Sequence, residues 1–226
     1  VNGYIALAAA PLVAVGSFTQ DDLDNNRVIY IHDSSETIAD SFDFEVNDAT
    51  TTIGAATFNI AITPVNDAPA GADNTVSTNE DTDYTFAPAD FGFTDLNDTP
   101  ANNFFSVMIT TLPADGVLEL NGVAVTAGQE ILVADIPDLT FTPGLHSNGA
   151  GYTTFEFQVK DDGGAANTGV DTDQSVNIMT IDVTPVNDAP EGTDNTIVML
   201  ENNVYTFGAG DFGFTDPHDM PADSML

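Results

Sequence analysis

Apolar and polar residues alternate along much of this chain. Ser41-Phe42-Asp43-Phe44-Glu45-Val46 and Thr154-Phe155-Glu156-Phe157-Gln158-Val159 place Phe or Val at every second position. Phe58, Ile60 and Ile62 keep the same rhythm, as do Met179, Ile181 and Val183 set against Ile178, Thr180 and Asp182. A period of two is the mark of a strand with one face buried. Gly, Pro, Asn and Asp punctuate these runs at short intervals, as turns between strands require. No stretch carries a helical period. Residues 1–16 are apolar enough to suggest a signal peptide, but they lack a basic start and are interrupted by Asn2, Gly3 and Pro11. Short strands are expected there instead. No run approaches the roughly 18 apolar residues of a membrane span.

The pattern also repeats at long range. Thr63-Pro64-Val65-Asn66-Asp67-Ala68-Pro69 returns as Thr184-Pro185-Val186-Asn187-Asp188-Ala189-Pro190, a shift of 121. Asp90-Phe91-Gly92-Phe93-Thr94-Asp95 returns as Asp211-Phe212-Gly213-Phe214-Thr215-Asp216 at the same shift. Between 63–105 and 184–226 there are 24 identities in 43 ungapped positions, far above chance. The first third matches the back of the same unit more loosely: Phe42, Phe44, Val46 and Asp48 align with Phe155, Phe157, Val159 and Asp161. The expected organisation is therefore the later part of one unit at 1–66, a complete unit at 67–187, and the opening of another at 188–226. A period of about 120 residues suits whole domains strung on a chain. Short, evenly spaced strands in such a unit predict an all-β fold of tandem Greek-key β-sandwiches.

Composition then narrows the chemistry. The chain has 226 residues, no cysteine, and two cations (Arg27 and Lys160) against 36 carboxylates, for a net charge of -34. Nucleic acid and anionic lipid, which need clustered Lys and Arg, are excluded as partners of a basic patch. With 42% hydrophobic residues the chain is too apolar for a disordered acidic tail. A packed core must coexist with carboxylates that have no cationic side chain to meet, and multivalent cations are the obvious counter-charge. The absence of cysteine rules out disulfides, thiol catalysis and Cys-based zinc sites.

The acids cluster in three kinds of place. One is the linker, Asn66-Asp67 and its copy Asn187-Asp188. A second is Asp95-Leu96-Asn97-Asp98 and its copy Asp216-Pro217-His218-Asp219. The third is Asp161-Asp162-Gly163-Gly164, straight after a strand. An Asx turn with a proline stop explains the linker without any ligand. Ca²⁺, however, takes six to eight oxygens from just such carboxylates and amides. His32, His146 and His218 are far apart in sequence and lie beside no serine motif. They read as loop or strand-end residues, and an enzyme is not expected.

Together these motifs resemble cadherins. The linker is similar to their inter-repeat Asp-x-Asn-Asp-x-x-Pro, with Pro64 or Pro185 in place of the leading Asp. Glu80 and Glu201 resemble the Glu near the start of a cadherin repeat. Asp95-x-Asn97 resembles their Asp-x-Asp, and Val159-Lys160-Asp161-Asp162-Gly163 the Asp that closes their penultimate strand. Residues 18–33 also resemble the cadherin-like repeats of chondroitin-sulfate-proteoglycan type. The whole looks most like the tandem cadherin-like repeats of giant bacterial calcium-dependent surface adhesins. The resemblance implies cadherin/Ig-like sandwiches with Ca²⁺ at their junctions. Asn66 and Asp67 would bridge to Asp95, Asn97, Asp98 and Asp161, with Asp33 and Glu36 as a further acidic pair. Glu80 would join Asn187, Asp188, Asp216 and Asp219 at the next junction. The counterpart of the acidic pair in the complete unit is His146-Ser147-Asn148, so that junction is expected to bind fewer ions or bind them less tightly.

The expected role is a non-enzymatic, extracellular stalk or adhesion segment, with neighbouring repeats or neighbouring copies as partners and a glycan or surface ligand beyond them. A subunit of an extracellular filament or matrix is the first rival. A carbohydrate-binding module is the second, weakened by the absence of Trp. Val1 aligns with about Ala114 and Leu226 with Phe105. The two partial units are therefore expected to be completed by flanking chain or, less readily, by the neighbouring copy's strands.

Overall fold

The computed structural model describes residues 2–48, 50–219 and 222–225. Val1 and Leu226, the two ends of the repeat alignment, lie outside the described residues. The fold is almost entirely β, and it divides into two compact units. The first comprises residues 1–67, 96–101 and 165–169; the second holds the remainder. Residues 188–226 belong to the second unit.

In the first unit, β1 (Gly3–Leu7), β2 (Ala10–Ala14) and β3 (Val28–His32) form an antiparallel sheet of order β2-β1-β3. A single helical turn, α1 (Gln20–Asp24), lies between β2 and β3. The alternation pattern does not foresee it. It forms because Thr19 and Asp22 cap each other: the Asp22 N–H donates to Thr19 Oγ1 at 3.2 Å, and the Thr19 N–H donates to Asp22 Oδ2 at 2.9 Å. Arg27 then closes on the same turn, 2.7 Å from Asp21 Oδ2. The alternating run 41–46 lies in β4 (Ala39–Asn47), which pairs with β5 (Thr52–Ala61) as a hairpin. Phe42 and Phe58 stack across that pair with centroids 5.3 Å apart.

The second unit is a β-sandwich. Its strands are β6 (Asn74–Asn79), β7 (Tyr84–Thr85), β8 (Phe104–Ile109), β9 (Val117–Leu120), β10 (Val123–Ala124), β11 (Gln129–Leu132), β12 (Leu139–Thr142), β13 (Gly149–Asp161) and β14 (Asn177–Thr184). One sheet has the order β10-β9-β12-β7 and the other β11-β8-β13-β14-β6. On β13, Phe155, Phe157, Val159 and Asp161 are buried at every second position; Met179, Ile181 and Val183 do the same on β14. The apolar side chains among them meet Phe86, Phe91, Leu118, Leu139 and Phe141 in one core. Gly116 shows how tight that core is. Its φ is +77°, and a Cβ there would come within 2.4 Å of the Phe141 ring.

Among the described residues, the strand pairings of this unit are antiparallel except β6 with β14, which run parallel from Asn74 beside Met179 to Asn79 beside Thr184. That exception positions the candidate ligands. Two parallel strands end at the same pole, so Glu80, just past β6, arrives beside the linker that leaves β14. The Glu80 N–H donates to the Thr184 carbonyl at 2.9 Å. Among the described residues no helix is long and apolar enough to cross a membrane.

Candidate metal centres

The two copies of the acidic loop are built alike. In the first, the Asp67 N–H donates to Asp98 Oδ2 at 3.0 Å. In the second, the Asp188 N–H donates to both oxygens of Asp219, at 3.1 and 3.2 Å. Asp95 Oδ2 accepts from the Asn102 N–H, and Asp216 Oδ2 from the Asp223 N–H, each seven residues on. The other oxygen, Oδ1, is buried without a hydrogen-bond partner in both Asp95 and Asp216. The two residues are 6% and 7% exposed. A carboxylate oxygen withdrawn from water with no donor is costly, and its recurrence in both copies argues against accident.

Asp173 provides the control. It is equally buried, yet its oxygens accept from the N–H groups of Gly71 and Ser175, the Ser175 hydroxyl and the Asn177 amide, all at 2.7–2.8 Å. Burial pushes its carboxyl up, but these donors outweigh burial and hold it below the ordinary value. Asp173 is thus a structural carboxylate whose charge the protein itself satisfies. Asp95 and Asp216 are not satisfied in that way.

Among the described residues, three groups of side chains bring ligand atoms within 4.8 Å of one another. Glu36, Asp67 and Asp98 form one, inside the first unit. Asp216, Asp219 and Asp223 form the second and Asp81, His146 and Asp188 the third, both inside the second unit. In the second group, loss of water, with the charges of Asp216 and Asp188 adding to it, raises the Asp219 carboxyl above its ordinary value. Like charges held together without a counter-ion produce that direction of shift.

The remaining residues singled out in the sequence are placed as follows. Asp161 is 1% exposed at the end of β13, where its Oδ1 accepts from the Gly163 N–H at 2.8 Å. Asp162 and Asp95 accept from the adjacent backbone N–H groups of Asn103 and Asn102, which brings Asp161 and Asp95 to one pole of the second unit. Glu80 is 3% exposed; its Oε1 accepts from the Val186 N–H and its Oε2 from the Asn148 amide at 3.0 Å. It therefore grips the linker one residue before Asn187. Asn187 is exposed and its amide donates to the Asp188 carbonyl. Asn66 is half-buried and Asn97 exposed. Asp33 lies outside the Glu36 group: its Oδ1 accepts from the Ser35 N–H, a turn that holds its carboxyl low.

Asp81, His146 and Asp223 went unnoticed as ligands in the sequence. Asp223 was findable, since it aligns with Asn102 and both lie seven residues past the buried Asp. Asp81 and His146 are 65 residues apart and meet only because the parallel β6 ends beside the β12–β13 loop.

Comparison with known proteins agrees with this architecture at the start of the chain. Residues 1–62 match a family model described as cadherin-like. The chain is also 33% identical over 125 residues to "Extracellular matrix protein 3" of Lytechinus variegatus, covering 54% of this chain and 4% of that one. It is 37% identical over 67 residues to "Extracellular matrix organizing protein FRAS1" of Homo sapiens, covering 29% and 2%. The chain thus spans a few per cent of the length of these relatives. No solved structure matches it.

Proposed function

We propose that this chain is a non-enzymatic segment of a long extracellular adhesion or matrix protein, and that Ca²⁺ bound at the acidic ends of its cadherin-like units fixes each linker. One observation carries the calcium reading: a buried carboxylate oxygen without a donor recurs at Asp95 and Asp216. Hard, irregular oxygen sets of this kind suit Ca²⁺ rather than Mg²⁺, which demands a smaller and more regular cage. Asp216, Asp219 and Asp223 would hold an ion in the second unit, and Glu36, Asp67 and Asp98 in the first. Asp95 and Asp161 supply further oxygens at their pole. The bound ion would neutralise charge that two cationic side chains cannot, since Arg27 and Lys160 each already face two carboxylates.

The matrix setting is supported by the two relatives, both named as extracellular matrix proteins. A giant bacterial surface adhesin would use the same units, and so remains within the proposal. The test is thermal melting in millimolar Ca²⁺ and in excess chelator. A bound ion stabilises the folded state by about 2.7 kcal/mol at a hundredfold excess over Kd. A melting temperature several degrees higher in Ca²⁺, with Mg²⁺ much less effective, is the expected result. Superimposable curves in Ca²⁺ and chelator would sink it. Small-angle scattering on Asp67→Ala should further show a more flexible chain in Ca²⁺.

A further inference from the structure

His146 stands apart from the oxygen-rich sets. Its Nδ1 lies 2.9 Å from Asp188 Oδ2 and 3.3 Å from Asp81 Oδ2. Its own backbone N–H donates to the other oxygen of Asp81 at 2.9 Å, which fixes that carboxylate with Oδ2 turned to the ring. The backbone N–H of Asp188 donates to Asp219, which anchors the main chain that carries the second carboxylate. The three side chains come from three separate segments: the turn after β6, the β12–β13 loop and the linker after β14. His218, which occupies the place of Asn97 in the other copy, stacks on His146 with ring centroids 3.9 Å apart and planes 28° apart.

We infer that Asp81, His146 and Asp188 form a site for a late first-row divalent cation such as Zn²⁺, separate from the calcium sites and independent of that reading. The donor set is one imidazole nitrogen and two carboxylate oxygens. Imidazole is a good ligand for Zn²⁺, Ni²⁺ and Cu²⁺ and does not belong to the all-oxygen shells of Ca²⁺. Tetrahedral Zn²⁺ holds N and O ligands at about 2.0–2.2 Å, which sets neighbouring ligand atoms roughly 3.3 Å apart. The Nδ1 separations of 2.9 and 3.3 Å need only a slight opening to meet this. The hydrogen bond from the His146 N–H to the far oxygen of Asp81 supplies an orienting outer contact of the kind that metal sites use. The fourth position is left to water. His218 covers the ring and does not ligate, because nearly parallel stacked imidazoles cannot aim their in-plane lone pairs at one point.

The test uses the whole chain with Ca²⁺ saturating, titrated with Zn²⁺ by calorimetry, and with Co²⁺ by absorption spectroscopy. One Zn²⁺ per chain and the intense visible bands of four-coordinate Co²⁺ are expected. His146→Gln should weaken Zn²⁺ binding by at least about tenfold, and Asp81→Asn should do the same should the first variant fold poorly. Both should leave the Ca²⁺ response of the melting temperature intact, which separates this site from the calcium reading. His218→Asn should keep the one-ion stoichiometry. No Zn²⁺ binding, or equal binding in wild type and both ligand variants, would show that His146 makes an ion pair only and would overturn the assignment. Loss of binding in His218→Asn would overturn the three-ligand geometry.

Discussion

Residues 70–95 and 191–216 carry nearly the same motifs, and comparing them separates what is local from what is not. In both, a short 3₁₀ turn (Pro88–Phe91 and Ala209–Phe212) ends on a left-handed glycine, Gly92 at φ +60° and Gly213 at φ +56°. The turn is held by Asp90 and Asp211, whose carboxylates accept from the N–H of Ala87 or Gly208 and from the hydroxyl of Tyr84 or Tyr205. The Asn74 and Asn195 amides donate to the carbonyls of Asp90 and Asp211, and the bridges Ala70 to Thr94 and Glu191 to Thr215 match. Burial is where the copies part. Phe91 is fully buried and Phe212 is 50% exposed; Phe86 and Phe207 differ even more. The tyrosines register the same contrast. Burial, with Asp90 second, pushes the Tyr84 phenol up to about 12, whereas the rise at Tyr205 is led by its hydrogen bond to Asp211. Residues 74–79 form a strand beside β14, while 195–200 form none. Turns and caps need only their own residues. A strand and a core need partners.

The contrast is most directly broken by truncating the two phenylalanines. Phe91→Ala should cost about 3–5 kcal/mol in urea unfolding, as for a fully buried ring, while Phe212→Ala should cost less than half of that. Equal losses would mean that the second copy is as well packed as the first.

The buried carboxylates should give the next largest effect. Asp216→Asn and Asp95→Asn should each reduce the gain in melting temperature from Ca²⁺, yet raise stability in chelator, because each removes a buried charge that lacks a partner. A variant that loses stability equally in both conditions would show that the carboxylate is merely structural.

Acid titration sharpens the distinction between satisfied and unsatisfied carboxylates. The Asp173 carboxyl is held below its ordinary value, so its contribution is fully present above about pH 4 and is lost as the pH falls through its folded value. The gap between wild type and Asp173→Asn should therefore close in acid. The Asp219 carboxyl is held above its ordinary value, so the folded state binds the extra proton. In chelator, stability should fall as the pH rises from about 4 through that folded value, and Asp219→Asn should abolish the fall. Urea midpoints from pH 2 to 7 would read both signs.

The smallest effect concerns what the copies share. Asp90→Ala and Asp211→Ala should each speed amide exchange at the capped N–H groups of Ala87 and Gly208 by similar factors, since both caps are local. Exchange that changes only in the first copy would make the cap depend on the core.

The acidic ends were partly legible from the chain alone. Repetition marked Asp67 and Asp188, Asp95 and Asp216, and Asp98 and Asp219 as equivalent pairs, and the structure gives each pair the same hydrogen bonds. Glu80 was singled out through the resemblance to cadherins, and it lies against the linker. Asp33 was paired with Glu36 through the same resemblance, yet the turn through Ser35 holds it outside the group that contains Glu36. The one-turn helix after Thr19 escaped the strand pattern because a capping box acts over four residues, too few to show any period.

By itself, the sequence determined the alternation of β4, β13 and β14, the turns at Gly92 and Gly213, and the pairing of one acidic loop with its copy. All of these depend on dihedral preference, side-chain period or hydrogen bonds between residues close along the chain. Tertiary structure alone decided that β6 runs parallel to β14, that Glu80 and Asp81 thereby reach residues 146–148 and the second linker, and that Phe91 is buried while Phe212 is not. Those outcomes turn on contacts across tens of residues, whose geometry is fixed by how two sheets close over a shared core rather than by the identity of any residue at the contact.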